Sequence, residues 1–342
     1  MRYPLYGDRT VTIKDVAKRA GVGMATVSRT LHGSSHVSPE TAARVRTVIE
    51  KLGYQPNTNA QSLASGRSYM LGLMVSDITN PFFSELVKGF EDVAVQNGYD
   101  VFVASTNYEP ARTALCVRRM VERKIDGVAI MTSEIDPSIE ETFARRKVPL
   151  VFLDVGTVRK GVSNVKVDYA GGIVQAVEHL GGLRHRRIAF ISGPEFLASA
   201  RERSDAFVAR MERLGLGARG EIAIEEGNHR VDGGMDAMLR VLRRVPRATA
   251  VIASNDLTAI GAMRAIRQRG LRVPEDISVI GFDDIQMAEF TEPSLTTVRL
   301  LRTEVARLAC LALTKSIKTH GVGAEFPVST SLVIRCSTAA PL

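Results

Sequence analysis

The apolar positions along the chain change texture twice, and each texture predicts a different kind of structure. From Thr12 to Leu52 they recur at short helical intervals. Val16, Ala17 and Ala20 make one small face, Val27 and Leu31 lie four apart, and Val45, Val48, Ile49 and Leu52 form one stripe. Thr12 stands three residues before Asp15, a capping-box-like start, and Gly21 ends the first helix. Gly21-Val22-Gly23 allows only a sharp turn before a second helix from Met24, which is helix-turn-helix spacing. Ser38-Pro39 opens a third helix and Gly53 stops it.

Between Asn57 and Gly66 the periodicity disappears. The stretch TNAQSLAS has almost no apolar face and is too short for an autonomous helix, and Leu63 is its only large hydrophobe. From Tyr69 apolar runs alternate with amphipathic stretches: YMLGLMV, YDVFVAS, GVAIM and PLVFLD, then RRIAFIS, EIAIEEG, TAVIAS and ISVIGFD. This is α/β texture, two doubly wound parallel-sheet lobes following a three-helix head. A helix from Arg302 to Lys318 and a strand from Phe326 to Ile334 imply that the chain crosses between the lobes about three times. The expected division is an extension at 1–11, a helix-turn-helix domain at 12–56, a hinge at 57–67 and a core at 68–342. Within the core, one lobe takes about 68–168 and 299–326, the other about 169–298 and 327–342.

Composition sharpens this picture. With 45% hydrophobic and 24% charged residues, 342 residues suffice for two or three packed domains. No 18-residue apolar run would span a membrane and the N-terminus has no signal-peptide core, so the expected location is the cytoplasm. Cys116, Cys310 and Cys336 are odd in number and widely spaced, which argues against a disulfide framework or zinc site and for buried small hydrophobes. The net charge is +8, of which +6 falls within residues 1–67, the footprint of a DNA-binding head on a nearly neutral body.

On the second helix, Ala25, Ser28 and Arg29 face away from Val27 and Leu31, with Met24 at the edge. Such a face can enter a major groove, Arg reading guanine and Met or Ala touching thymine methyls. An ordinary helical hairpin with a solvated Arg is the bland alternative, and the concentrated charge weighs against it. In the core, Asp154, Asp256 and Asp283 stand at strand carboxyl ends, where open α/β sheets bind ligands. An enzyme or an exported binding protein could share these lobes. No phosphate loop, dinucleotide fingerprint, HExxH or nucleophile elbow occurs, and no catalytic residue, metal or cofactor is expected.

The motifs TIKDVAKRAGV, TVSR, HVSPET, LGYQPN, DITNPFF, SNDLTAIGAMRA, VPEDISVIGFDD and SLTTV, in this order and spacing, resemble the LacI/GalR family of bacterial transcription regulators from Thr12 to about Ile334. The resemblance implies a homodimeric repressor on a pseudo-palindromic double-stranded operator, with a core of periplasmic binding protein type I architecture. It implies DNA contacts at Thr12, Met24, Ala25, Thr26, Ser28, Arg29, Tyr54, Asn57, Leu63 and Ala64, Leu63 wedging into the minor groove. It also implies effector contacts at Phe82, Phe83, Asp154, Ser199, Arg203, His229, Asn255 and Asp283, a set whose aromatic faces, carboxylates and Arg fork suit a sugar. Arg203 could instead pair with Glu202 or Asp205, and His229 could lie in a surface loop. The absence of Trp and Val155 after Asp154 depart from several family pockets, so a purine, a phosphorylated sugar or a partner protein stays open. No heptad repeat follows Ser337, which predicts a dimer and not a tetramer.

Overall fold

The computed structural model describes residues 11–31, 36–55, 66–132, 136–216, 223–244, 248–319 and 321–342. The expected sites at Asn57, Leu63 and Ala64, and nearly all of the expected 1–11 extension and 57–67 hinge, lie outside these residues. The chain folds as two compact units, Met1–Ser68 and Tyr69–Leu342.

The first unit holds α1 (Ile13–Ala20), α2 (Met24–Leu31) and α3 (Pro39–Leu52). Asp15 reaches back to the helix start, accepting from the Thr12 N–H at 2.9 Å and from its hydroxyl at 2.7 Å. Gly21 takes the left-handed conformation (φ 66°) that closes α1, and Gly53 (φ 60°) closes α3. Val16, Ala17, Ala20, Val27 and Val45 form the small core, with Leu31, Ile49, Leu52 and Tyr54 packed at its margin. Arg44 Nε donates to the Ala20 carbonyl at 3.2 Å, so α3 holds the end of α1 at the turn.

In the second unit, β1 (Met70–Val75), β2 (Asp100–Ser105), β3 (Gly127–Met131), β4 (Leu150–Leu153), β5 (Val162–Val167) and β11 (Glu325–Val328) form one sheet in the order β11-β5-β4-β3-β1-β2. Strands β6 (Ile188–Ser192), β7 (Ala223–Glu226), β8 (Ala250–Ala253), β9 (Ser278–Asp283), β10 (Thr296–Leu300) and β12 (Thr330–Val333) form the other, ordered β12-β10-β9-β8-β6-β7. All neighbours are parallel except β10 and β12. The helices between them are α4 (Pro81–Gln96), α5 (Pro110–Glu122), α6 (Pro137–Ala144), α7 (Tyr169–Gly182), α8 (Ala198–Arg213), α9 (Val231–Arg244), α10 (Asp256–Gln268) and α11 (Arg302–Thr319). The chain passes between lobes three times, at Asp168, Leu301 and Ser329, each the single residue between two elements. The strand expected from Phe326 to Ile334 is therefore two strands, broken at Ser329 and divided between the sheets.

Strands β5 and β10 escape an apolar-run reading because their interiors are polar. Ser163, Asn164, Thr296 and Thr297 are all buried. Ser163 Oγ accepts from Ala324 N at 3.2 Å, and Thr297 Oγ1 donates to Asp256 Oδ1 at 2.5 Å. Cys116 and Cys310 are buried as expected, whereas Cys336 is exposed beyond the end of β12.

The carboxylate of Asp256, fully buried at the start of α10, works as a fastener and not as a strand-end ligand group. Its Oδ2 accepts from Ile285 N at 2.8 Å while Oδ1 holds Thr297, and burial together with the nearby Asp283 pushes its pKa well up. Asp256→Ala is expected to cost about 2–4 kcal/mol by orphaning two buried donors. Asp256→Asn, whose carbonyl oxygen can accept from Ile285 N while its amide donates to the Thr297 hydroxyl with that bond reversed, should cost less, about 1 kcal/mol. Urea denaturation measures both; equal losses would mean that the charge itself holds the fold.

Candidate functional site

Close packing of α9 on α10 brings two loops to the carboxyl ends of the second sheet. A Cβ on Gly234 would lie 2.3 Å from the Thr258 carbonyl oxygen, and one on Gly261 would lie 2.0 Å from that of Val231, so only glycine lets these helices touch. Asn255, which caps α10 by accepting from Thr258 N at 2.9 Å, also donates to the His229 carbonyl at 3.0 Å. His229 sits in the left-handed region (φ 61°), and its side chain is buried. That ring lies where a Cβ on residue 193 would stand, 1.9 Å from Nε2, so Gly193 makes its space.

Phe82, Phe83, Ser199, Arg203, His229, Asn255 and Asp283 line one cavity between the lobes, with about 70 Å³ open to water-sized occupants. The aromatic wall is an edge-to-face pair, Phe82 and Phe83, whose centroids are 5.0 Å apart. They follow Asn80, whose side chain caps α4 by accepting from Phe82 N at 3.0 Å. Asp154 does not line the cavity. Its two oxygens accept from Val167 N and from the Tyr169 hydroxyl, each at 2.8 Å, and burial raises its pKa. Tyr169, which Asp154 anchors, lines the cavity instead.

Tyr169 was missed from sequence together with β5, the strand that delivers it. Tyr108, in the left-handed region (φ 61°), and the buried Ser76–Thr132 hydroxyl pair (2.9 Å) complete the first lobe's wall. Strand ends rich in small hydroxyl residues were the only signal for them.

The electrostatics are unusual for a protein interior. Arg203 is buried, with its guanidinium carbon 4.5 Å from the Tyr169 ring centroid and 5.1 Å from that of Phe282. It forms no ion pair among the described residues; Glu202 pairs with Lys166 at 3.0 Å instead. Arg203 Nε and His229 Nε2 are buried without a hydrogen-bond partner among the described residues. Burial and the charge of Arg203 push the His229 pKa down to about 3, so its imidazole is neutral. Asp283, buried at the end of β9 with φ 109°, has its pKa pushed up to about 7 by burial, against the pull of Arg203 and Arg302. Arg302 also donates to the Asp283 carbonyl and pairs with Glu85 of α4 at 2.6 Å. A cation, a carboxyl and a neutral imidazole thus converge beside an aromatic wall, leaving donors and acceptors directed at one space.

On α2, Met24, Ala25 and Arg29 are exposed and Thr26 and Ser28 half-buried, while Val27 and Thr30 face the core. Arg29 forms no ion pair among the described residues. The Thr12 hydroxyl is engaged with Asp15, and Tyr54 packs against the head's core. The head therefore presents one outward helix face carrying a cation and small side chains.

Residues 12–57 match the bacterial regulatory proteins of the lacI family, and residues 177–338 match a periplasmic binding protein-like domain. The chain is 32% identical over 323 residues to the HTH-type transcriptional repressor PurR of Glaesserella parasuis, covering 94% of each. The chain belongs to the lacI family. The ribose operon repressor of Escherichia coli is 33% identical over 299 residues, 87% of this chain and 90% of that protein. Among solved structures, the Lac repressor dimer bound to operator and the anti-inducer ONPF superposes with a TM-score of 0.85 at 30% identity, covering 97% of this chain and all of that one. A complex of the regulator CelR with cellobiose gives a TM-score of 0.73 at 30% identity, covering 96% and 99%. This lacI-family chain is a DNA-binding transcriptional regulator, and among the described residues no helix is long and apolar enough to cross a membrane.

The raised pKa of Asp283 sets a pH dependence. Its folded pKa lies above the unfolded value, so the associated stability is present below about pH 4 and lost as pH rises to about 7. Asp283→Asn should remove this slope and stand on the order of 1–3 kcal/mol above wild type at pH 8, the gap shrinking toward pH 5. Urea midpoints measured across that range test it; a constant gap would contradict the assignment.

Proposed function

We propose that the chain is a cytoplasmic transcriptional repressor that binds a pseudo-palindromic operator as a homodimer and is controlled by a sugar or sugar derivative in the interlobe cavity. The observation that carries the effector reading is the buried Arg203, unpartnered at Nε, beside Asp283 and the neutral His229. A buried cation without a carboxylate partner is costly, and ligand hydroxyls supply the missing acceptors. The cavity, with about 70 Å³ open to water-sized occupants and polar groups on several sides, has room for ordered waters whose places a ligand's hydroxyls take. Relatives with a ribose operon in their name and neighbours solved with cellobiose or ribose support this ligand class. Arg203, Asp283, His229 and Ser199 contact the ring, Phe82 and Phe83 cover its apolar face, and Asn255 positions His229. Asp154 acts through Tyr169. The protein acts by binding and not by turnover.

In the head, Met24, Ala25 and Arg29 read bases, with Thr12, Thr26, Ser28, Tyr54 and Asn57 placing the helix on the duplex. Leu63 and Ala64 enter the minor groove at the operator centre, where an apolar wedge kinks an easily unstacked step.

A thermal-shift screen of sugars and nucleobases, followed by operator binding with each hit, tests the reading. Arg203→Ala and Asp283→Ala are expected to bind operator like the unliganded wild type and to lose the response to the hit. A response at wild-type ligand concentration would place that residue outside the site. Arg29→Ala should lose about 1–3 kcal/mol on the cognate site and much less on scrambled DNA. Equal losses in an electrophoretic binding assay would make Arg29 a phosphate contact.

A further inference from the structure

At the mouth of the cleft lies a second chamber of about 590 Å³, within the roughly 300–1,000 Å³ usual for ligand sites. It shares Asn80, Tyr108 and His229 with the inner cavity, so the two compartments adjoin. Its walls differ in charge from those of a neutral sugar subsite. Among its lining residues one carboxylate, Asp77, faces two guanidinium groups, Arg112 and Arg230.

Arg230 Nη2 donates to Asp77 Oδ2 at 3.0 Å, joining the second lobe to the first. The other oxygen of Asp77 is already engaged, accepting from Thr79 N at 2.9 Å and from its hydroxyl at 2.6 Å. Burial pulls the Asp77 pKa up, but these bonds and the charge of Arg230 outweigh it and hold the carboxylate below its ordinary range. Arg112, exposed on α5, forms no ion pair among the described residues, so the chamber keeps one uncompensated positive charge. The turn carrying Arg230 is braced: Asn228 accepts from Arg230 N at 2.9 Å, and Asn255 holds the His229 carbonyl at 3.0 Å. Adjacent residues of one braced turn therefore line the two compartments, His229 both and Arg230 the outer.

We infer that the outer chamber is an anion subsite: the effector carries a phosphate or carboxylate group that seats on Arg112 and Arg230 while its ring fills the inner cavity. Arg230 exchanges Asp77 for the ligand's anion, a contact suited to the planar guanidinium fork. The sugar ring rests on the function proposed above; the anion subsite is tested without it.

The test uses the full chain and inorganic phosphate, titrated against chloride at matched ionic strength, with the thermal unfolding midpoint as readout. Phosphate also meets the basic head, so the comparison among variants reads the chamber. The expected result is a saturable stabilisation by phosphate that weakens about tenfold in apparent affinity in the Arg112→Gln/Arg230→Gln double variant. It should tighten about threefold in Asp77→Asn, which frees Arg230. Acetate in place of phosphate separates the sources: an equal response points to a carboxylate, a response to phosphate alone to a phosphate ester. Identical phosphate responses in wild type and double variant would overturn the subsite while leaving the sugar reading, carried by Arg203 and Asp283, intact. Weaker binding by Asp77→Asn would overturn the exchange.

Discussion

Three single-residue crossings constrain everything else in the larger unit. Asp168, Leu301 and Ser329 are all that separates an element of one sheet or its helices from an element of the other. The first and third are tied together: Asp168 N donates to Val328 O at 2.9 Å, and Thr330 Oγ1 donates to the Asp168 carbonyl at 2.8 Å. The second is followed at once by Arg302, which grips Glu85 in one lobe and the carbonyls of Asp283 and Asp284 in the other. Lobes joined this way can change their separation only by turning about one short band of chain, which is hinge geometry. Any group that bridges the cleft biases that turn.

The cavity sits against this band, and its chemistry suits a cleft that responds to a ligand, as the proposed function requires. Burying Arg203 over two aromatic rings with no ion pair, keeping His229 neutral, and raising Asp283 toward neutrality all work against the stability of the empty state. Such features persist where binding needs them, because a ligand that completes the hydrogen bonds recovers what folding alone leaves unsatisfied. The elements that hold them are rigid: paired glycines lock α9 to α10, Asp154 and Asp256 fasten loops by accepting from backbone and hydroxyl donors, and Asn255 fastens another by donating to the His229 carbonyl.

Periodicity exposed the head in the sequence, because its short helices show one apolar face each and end at glycines with positive φ. The same reading found the strands with continuous apolar runs and failed at β5 and β10, whose buried Asn164, Thr296 and Thr297 look like loop residues until their partners are seen. That failure propagated to the site, since Tyr169 follows β5 directly. Asp283 could be named from its place at a strand end as well as from the resemblance, Arg203 from the resemblance alone. Whether Arg203 was free or paired with Glu202 is a matter of which way a helix faces, and only the fold places Lys166 opposite Glu202. For Asp154 the opposite held: a carboxylate at a strand end suggested a ligand contact, and the fold commits both its oxygens to its own backbone and Tyr169.

On the proposed function, occupancy of the interlobe cavity and operator binding are one linked equilibrium. The most direct measurement is reciprocity: titrate a ligand from the sugar screen into the protein with and without operator, and operator with and without saturating ligand. The same factor is expected in both directions, about 5 to 150, because coupling free energy is shared. A ligand that binds equally well to free and operator-bound protein would contradict it.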